Sequence, residues 1–165
     1  MELVKSIYPE NPAGRYKLLK QQMEVLLDGE TDWVANLANA AALLNGALPN
    51  INWVGFYRLV NGELLLGPFQ GKTACIHIPF GKGVCGTAAA KNKTQVVADV
   101  HRFEGHIACD SDSASELVIP LCVKDKVVGV LDIDSPVLKR FSDEDARALE
   151  EIAEMISGGC EWTKS

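Results

Sequence analysis

Three cysteines and three carboxylates are the residues of this chain whose types and spacing suggest chemistry. Cys75, Cys85 and Cys109 stand in loops or at element ends, spaced Cys-x9-Cys-x23-Cys. The spacing contains no CxxC pair and matches no common zinc pattern. Cys109 lies in IACDSDSASELVIP, where a thiol sits in a polar run of Asp and Ser that turns abruptly into apolar strand sequence. Thiols on polar loops suit redox work: a thiolate attacks an electrophile, is oxidised, and is rescued by a second thiol that closes a disulfide. The plain alternative is that free cysteines act as small buried hydrophobes. Cys122 in a strand and Cys160 after Gly-Gly read that way. His77, His101 and His106, each taken alone, read as ordinary loop or surface residues.

The carboxylates are placed by strand geometry. Alternate residues of a strand face the same way. In VVGVLDID, Val127, Gly129, Leu131 and Ile133 point to one side, while Asp132 and Asp134 point to the other. In ELVIPLCV, Glu116 is opposed to Leu117, Ile119 and Leu121. Pairing of these strands through the KDK turn brings Glu116 beside Asp134. Three converging carboxylates suit an ammonium group, or hold one shared proton for acid catalysis; the bland alternative is a solvated strand end. Trp53 and Tyr57 share a face of NWVGFYRLV, either as core or as the apolar wall of a pocket.

These residues need a frame. Tyr16, Leu19, Met23 and Leu26 recur at helical spacing, and a second helix starts at Thr31-Asp32, with Trp33, Leu37, Ala40, Leu44 and Leu48 on one stripe before Pro49. NWVGFYRLV, Asn61-Gly62 and ELLLGPF form a hairpin, since Asn-Gly supplies the positive φ angles of a type I′ turn. ACIHIPF and QVVADV read as strands around a short helix in GKGVCGTAAAKNK. Residues 101–115 form a polar loop before the second hairpin. Ser142 caps a last helix, with Asp145 in a near capping box and Leu149, Ile152, Ala153 and Ile156 on its apolar stripe. This order predicts an α+β domain: an antiparallel sheet, the terminal helices on one face, and a loop-covered pocket on the other.

Length and composition set the outer bounds. At 165 residues, 47% hydrophobic and 23% charged, the chain reads as one domain over 1–165 with a proper core. Its net charge of −6, without a basic cluster, argues against nucleic acid or an anionic membrane as partner. No run of 18 apolar residues occurs, and the N-terminus shows no signal-peptide core, so a cytoplasmic location is expected. Five cysteines are an odd count and do not suggest a structural disulfide framework.

Nearly the whole chain resembles the free methionine-(R)-sulfoxide reductases, single-domain enzymes of the GAF fold. The segments that carry the resemblance are NWVGFY, GPFQGKTACIHIPFGKGVCGTAA, HIACDSDSASELVIPL and VVGVLDIDSP. The resemblance implies reduction of the free amino acid sulfoxide through a cysteine sulfenic acid and an intramolecular disulfide, with thioredoxin as reductant and no metal, flavin or nucleotide. It maps the redox cysteines onto Cys75, Cys85 and Cys109 and the acidic positions onto Glu116, Asp132 and Asp134. Trp53 and Tyr57 would pack the substrate's apolar groups, and the SDSAS segment, with Ser113 and Ser115, would bind its carboxylate. Cys109 is taken as the nucleophile because it directly precedes the Ser/Asp loop and the acidic strand residues. Cys85 is the alternative, since a helix start lowers a thiol pKa. The disulfide is expected from Cys109 to Cys85 or Cys75, with Cys85 favoured by its Gly-flanked backbone. Asp134 is the expected proton donor. A homodimer through the terminal helices is the expected assembly. A non-catalytic GAF domain that senses a small ligand is the alternative function, and the acidic pocket argues against a phosphorylated ligand.

Overall fold

The computed structural model describes residues 8–163. The reading of residues 1–7 as free of a leader lies outside the described residues. Four helices and six strands follow in the order α1 (Pro12–Leu27), α2 (Trp33–Ala47), β1 (Trp53–Val60), β2 (Glu63–Gly71), β3 (His77–Pro79), α3 (Gly83–Lys91), β4 (Gln95–Val97), β5 (Ser115–Val123), β6 (Lys126–Ser135) and α4 (Asp143–Gly158). A 3-10 turn at Val100–Arg102 precedes the long loop to β5. The strands form one antiparallel sheet in the order β3-β2-β1-β6-β5-β4.

Local chemistry accounts for most element ends. Asn11 caps α1 through its side chain on the Gly14 amide, and Asp32 caps α2 on the Ala35 amide. Ser142 and Asp145 form a full capping box at α4. Asn61 and Gly62 both take positive φ, as the Asn-Gly reading of the first hairpin requires. ACIHIPF contributes only the three residues of β3, and QVVADV only β4, because the chain leaves the sheet after each.

The sheet divides two apolar layers. On one face Val54, Phe56, Leu117, Ile119, Leu131 and Ile133 pack against Leu19, Met23, Leu37, Leu44, Leu149, Ile152 and Ile156 of α1, α2 and α4. Each fully buried Leu or Ile there contributes about 1.5–3 kcal/mol of transfer free energy. On the opposite face α3 packs Val84, Cys85, Ala88 and Ala89 against Trp53, Tyr57, Val118 and Val130. The sequence-based expectation of long helices on one face and a pocket on the other describes this architecture.

Candidate active site

The pocket face is built by register. In the β5–β6 ladder Glu116 stands opposite Asp134 and Val118 opposite Asp132; across β6–β1, Asp134 faces Trp53 and Asp132 faces Gly55. One row across three strands is therefore Glu116, Asp134, Trp53. Gly55 leaves room in the next row, because a Cβ there would collide with Trp53 and Phe69. The Trp53 ring stacks on Phe69 at 5.2 Å and on Tyr57 at 6.0 Å between centroids. Polar ends of this wall are fixed: Trp53 Nε1 donates to the Lys72 carbonyl (3.1 Å) and Tyr57 Oη to the Cys75 carbonyl (3.0 Å).

Cys85 enters from α3, with Sγ 4.0 Å from Glu116 Oε1. Cys85, Glu116 and Asp132 are all buried and offer donor atoms within 4.8 Å of one another. This trio is the group of described residues that could hold a metal. One oxygen of Asp132, Oδ1, is buried without a hydrogen-bond partner. Burial first, and mutual repulsion next, push Glu116, Asp132 and Asp134 well above the usual carboxylate range. Such a site keeps carboxyl protons at neutral pH, and it accepts a cation readily.

A disulfide joins Cys75 and Cys109 at the rim, tying the loop before β5 to the segment between β2 and β3. This geometry bears on three sequence expectations. Of the two expected pairings of Cys109, the one with Cys75 is present, and the favoured partner Cys85 is free and buried. The Cys85 thiol is pushed up, chiefly by burial and then by Asp132 and Glu116, which outweighs the lowering expected at a helix start. Neither Ser113 nor Ser115 lines the cavity. Ser113 Oγ accepts from Asn52 Nδ2 at 3.1 Å, and Ser115 Oγ donates to the Val137 carbonyl at 2.6 Å. Cys122 and Cys160 stay outside the site, the first bonded to Asn92 and the second in the helix-face core.

Trp53, Tyr57, Cys85, Cys109, Glu116, Asp132 and Asp134 do line one cavity, joined by Ile78, Ile107 and Asp110. Its volume with the disulfide closed is about 30 Å³. A larger groove of about 1020 Å³ runs between α4 and the β4–β5 edge, away from these groups and flanked by charges of both signs such as Lys93, Lys124, Asp125 and Arg147.

Sequence reasoning missed two features. Asp110 anchors the Cys109 loop: it accepts from Asn52 Nδ2 (3.0 Å) and pairs with Lys72 at 3.7 Å, while Lys72 also bridges to Asp112. The Asp112 amide, Asn52 and Lys72 hold the Asp110 carboxyl below its usual range. His106, read as a loop residue, lies with Nε2 3.6 Å from Glu116 Oε2. A lone His in a polar loop carries no signal for that contact.

A model of the GAF domain family matches residues 30–158, which defines the class of this protein. The chain is 53% identical over 146 residues to the free methionine-R-sulfoxide reductase of Escherichia coli, covering 88% of each chain. It is 48% identical to the Saccharomyces cerevisiae protein of the same name, over 83% of this chain and 81% of that one. The X-ray structure of free methionine-R-sulfoxide reductase from Neisseria meningitidis in complex with its substrate superposes with a TM-score of 0.88 at 46% identity, over 93% of each chain. The chain belongs to the free methionine-R-sulfoxide reductase family of GAF domain proteins.

Proposed function

We propose that this protein reduces free methionine (R)-sulfoxide to methionine with its own thiols. The observation that carries this reading is the cavity itself: three carboxyl groups, two of them buried, an aromatic wall, and the Cys75–Cys109 pair at the rim. A free amino acid brings an ammonium, which the acids bind, and methylene and methyl groups, which pack on Trp53 and Tyr57. The Cys109 thiolate attacks the sulfoxide sulfur while a carboxylic acid, Asp134 in this reading, protonates the oxygen. Methionine leaves and Cys109 holds the oxygen as sulfenic acid. Cys75 then attacks the Cys109 sulfur, releasing water and forming the disulfide.

Cys85 remains a thiol in this scheme. Its raised pKa keeps it protonated, so it serves as a neutral wall of the ammonium site. A cavity of about 30 Å³ does not admit an amino acid, so substrate enters once the disulfide has been reduced. An external dithiol is needed to return the enzyme to work. Thioredoxin fills that role in our reading, in the cytoplasm, with a homodimer through the terminal helices as the assembly.

NADPH consumption with thioredoxin, thioredoxin reductase and free methionine (R)-sulfoxide tests the proposal. N-acetyl-methionine sulfoxide lacks the ammonium and leaves buried acids unpaired, at about 1–3 kcal/mol. It is expected to turn over at least about tenfold more slowly. Equal rates on the acetylated compound or on a peptide sulfoxide would refute the free-substrate reading.

A further inference from the structure

His106 is the titratable group that meets the acid cluster from outside the cavity. Its side chain is 16% exposed and its Nε2 stands 3.6 Å from Glu116 Oε2, yet it is not among the cavity-lining residues. Glu116 is buried, faces Asp134 in the β5–β6 ladder, and approaches Cys85 with its other oxygen. Among the described residues no other acid lies within ion-pair reach of His106; behind Glu116 are Asp132 and Asp134 of β6 and Cys85 of α3.

We propose that His106 is the proton relay that recharges the catalytic carboxyl group, passing a proton from solvent through Glu116 to Asp134. This rests on the reaction proposed above. In that reaction two thiols and one sulfoxide give one thioether, one disulfide and one water. Cys109 gives its proton to solvent on becoming a thiolate, and the carboxyl gives one to the sulfoxide oxygen. The Cys75 proton goes into the water that leaves. The carboxylate left behind is thus one proton short, and solvent holds one in excess. Imidazole closes that difference: its other nitrogen takes up a proton as Nε2 releases one to Glu116. Burial lowers the His106 pKa, which favours return of the ring to its neutral form after each transfer.

His106→Gln keeps a polar side chain without a titrating nitrogen, and His106→Ala opens a space that free imidazole can enter. Both variants are expected to lower kcat by on the order of 10–100-fold at pH 8 with KM little changed. Added imidazole restores the Ala variant in proportion to its basic form. Wild-type rates in both variants, or a slow Ala variant that imidazole does not restore, overturn the relay. Wild-type enzyme is assayed first on free methionine (R)-sulfoxide; if it is silent, the reaction itself is refuted. The contact is judged apart from activity by NMR titration of the His106 ring in reduced wild-type protein and in Glu116→Gln. A ring chemical shift or midpoint that moves on substitution supports the relay contact, and no change in either overturns it.

Discussion

The two faces of one sheet do opposite work with residues that alternate along the same strands. On the helix face of β6, Leu131 and Ile133 are fully buried among apolar side chains. On the other face, Asp132 and Asp134 are held in a cavity where ionisation is unfavourable. Leu131 and Asp132 are neighbours in the chain, yet one favours folding and the other opposes it. The strand period of two lets a single segment bind the core and carry reactive groups, so stability and chemistry are separable one residue at a time.

Substitutions on the two faces should give opposite signatures, the largest on the pocket face. Cys109→Ser is expected to abolish methionine release in a single turnover under reducing conditions. If one equivalent of methionine still forms, and Cys85→Ser removes it, the nucleophile is misassigned. Asp134→Asn keeps the shape and removes the acid; kcat should fall by on the order of 10²–10⁴ with the melting temperature maintained. On the helix face, Leu131→Ala should cost about 2–5 kcal/mol of stability and leave kcat per folded molecule unchanged. Denaturant titrations and initial rates on the same samples check both halves. Loss of kcat in Leu131→Ala without loss of stability would break the separation of the faces.

How legible this was in the sequence follows from the range of the interactions involved. Alternation alone places Asp132, Asp134 and Glu116 on one side, and the hairpin register sets Glu116 opposite Asp134. The same alternation assigns Ser115 to the helix side, beside Leu117, so its exclusion from the cavity was readable from parity. The disulfide partner was not readable, because Cys75 and Cys109 are 34 residues apart on two loops that only the folded sheet brings together. For Cys85 the local rule lost on magnitude. A helix N-terminus is worth about 0.3–1 kcal/mol, whereas full burial shifts a pKa by up to about 3–5 units. His106 and Asp110 act through loop geometry, for which no periodic pattern exists.

The comparison sharpens when pH is varied. Glu116, Asp132 and Asp134 have folded pKa values raised above the unfolded carboxylate value of about 4. Between those limits the folded state binds more protons, so their contribution is present below about pH 4 and is lost as pH rises through the folded values. Asp145, on the helix side, behaves in reverse. Burial opposes its ionisation, but the Ser142 amide, Tyr16 and Arg140 overcome this and lower its pKa, so its contribution is lost as pH falls through the folded value. Reduced, ligand-free protein should therefore lose stability as pH rises from the unfolded carboxylate value through the folded ones, by up to about 1.4 kcal/mol per pH unit for each proton released. Asp132→Asn should flatten that slope, as read from denaturant midpoints across the range. An unchanged slope in the Asn variant would show that Asp132 is solvated in the reduced protein.

The smallest effect belongs to the rim, where neither face's logic applies. Lys72 is largely exposed and holds the Cys109 loop through Asp110 and Asp112, while Asn52 holds the same Asp110 from beneath the loop. Water and salt screen the first contact and leave the second largely intact. Lys72→Ala should slow closure of the Cys75–Cys109 disulfide by no more than about fivefold at low ionic strength, with the difference vanishing at high salt. Asn52→Ala removes donors to both Asp110 and Ser113, so its effect should be larger and persist in salt. Rapid-quench trapping of free thiols after one substrate addition measures both rates. A salt-independent loss in Lys72→Ala would mean that the loop is clamped by charge buried in the working enzyme, and the rim would then belong with the pocket face.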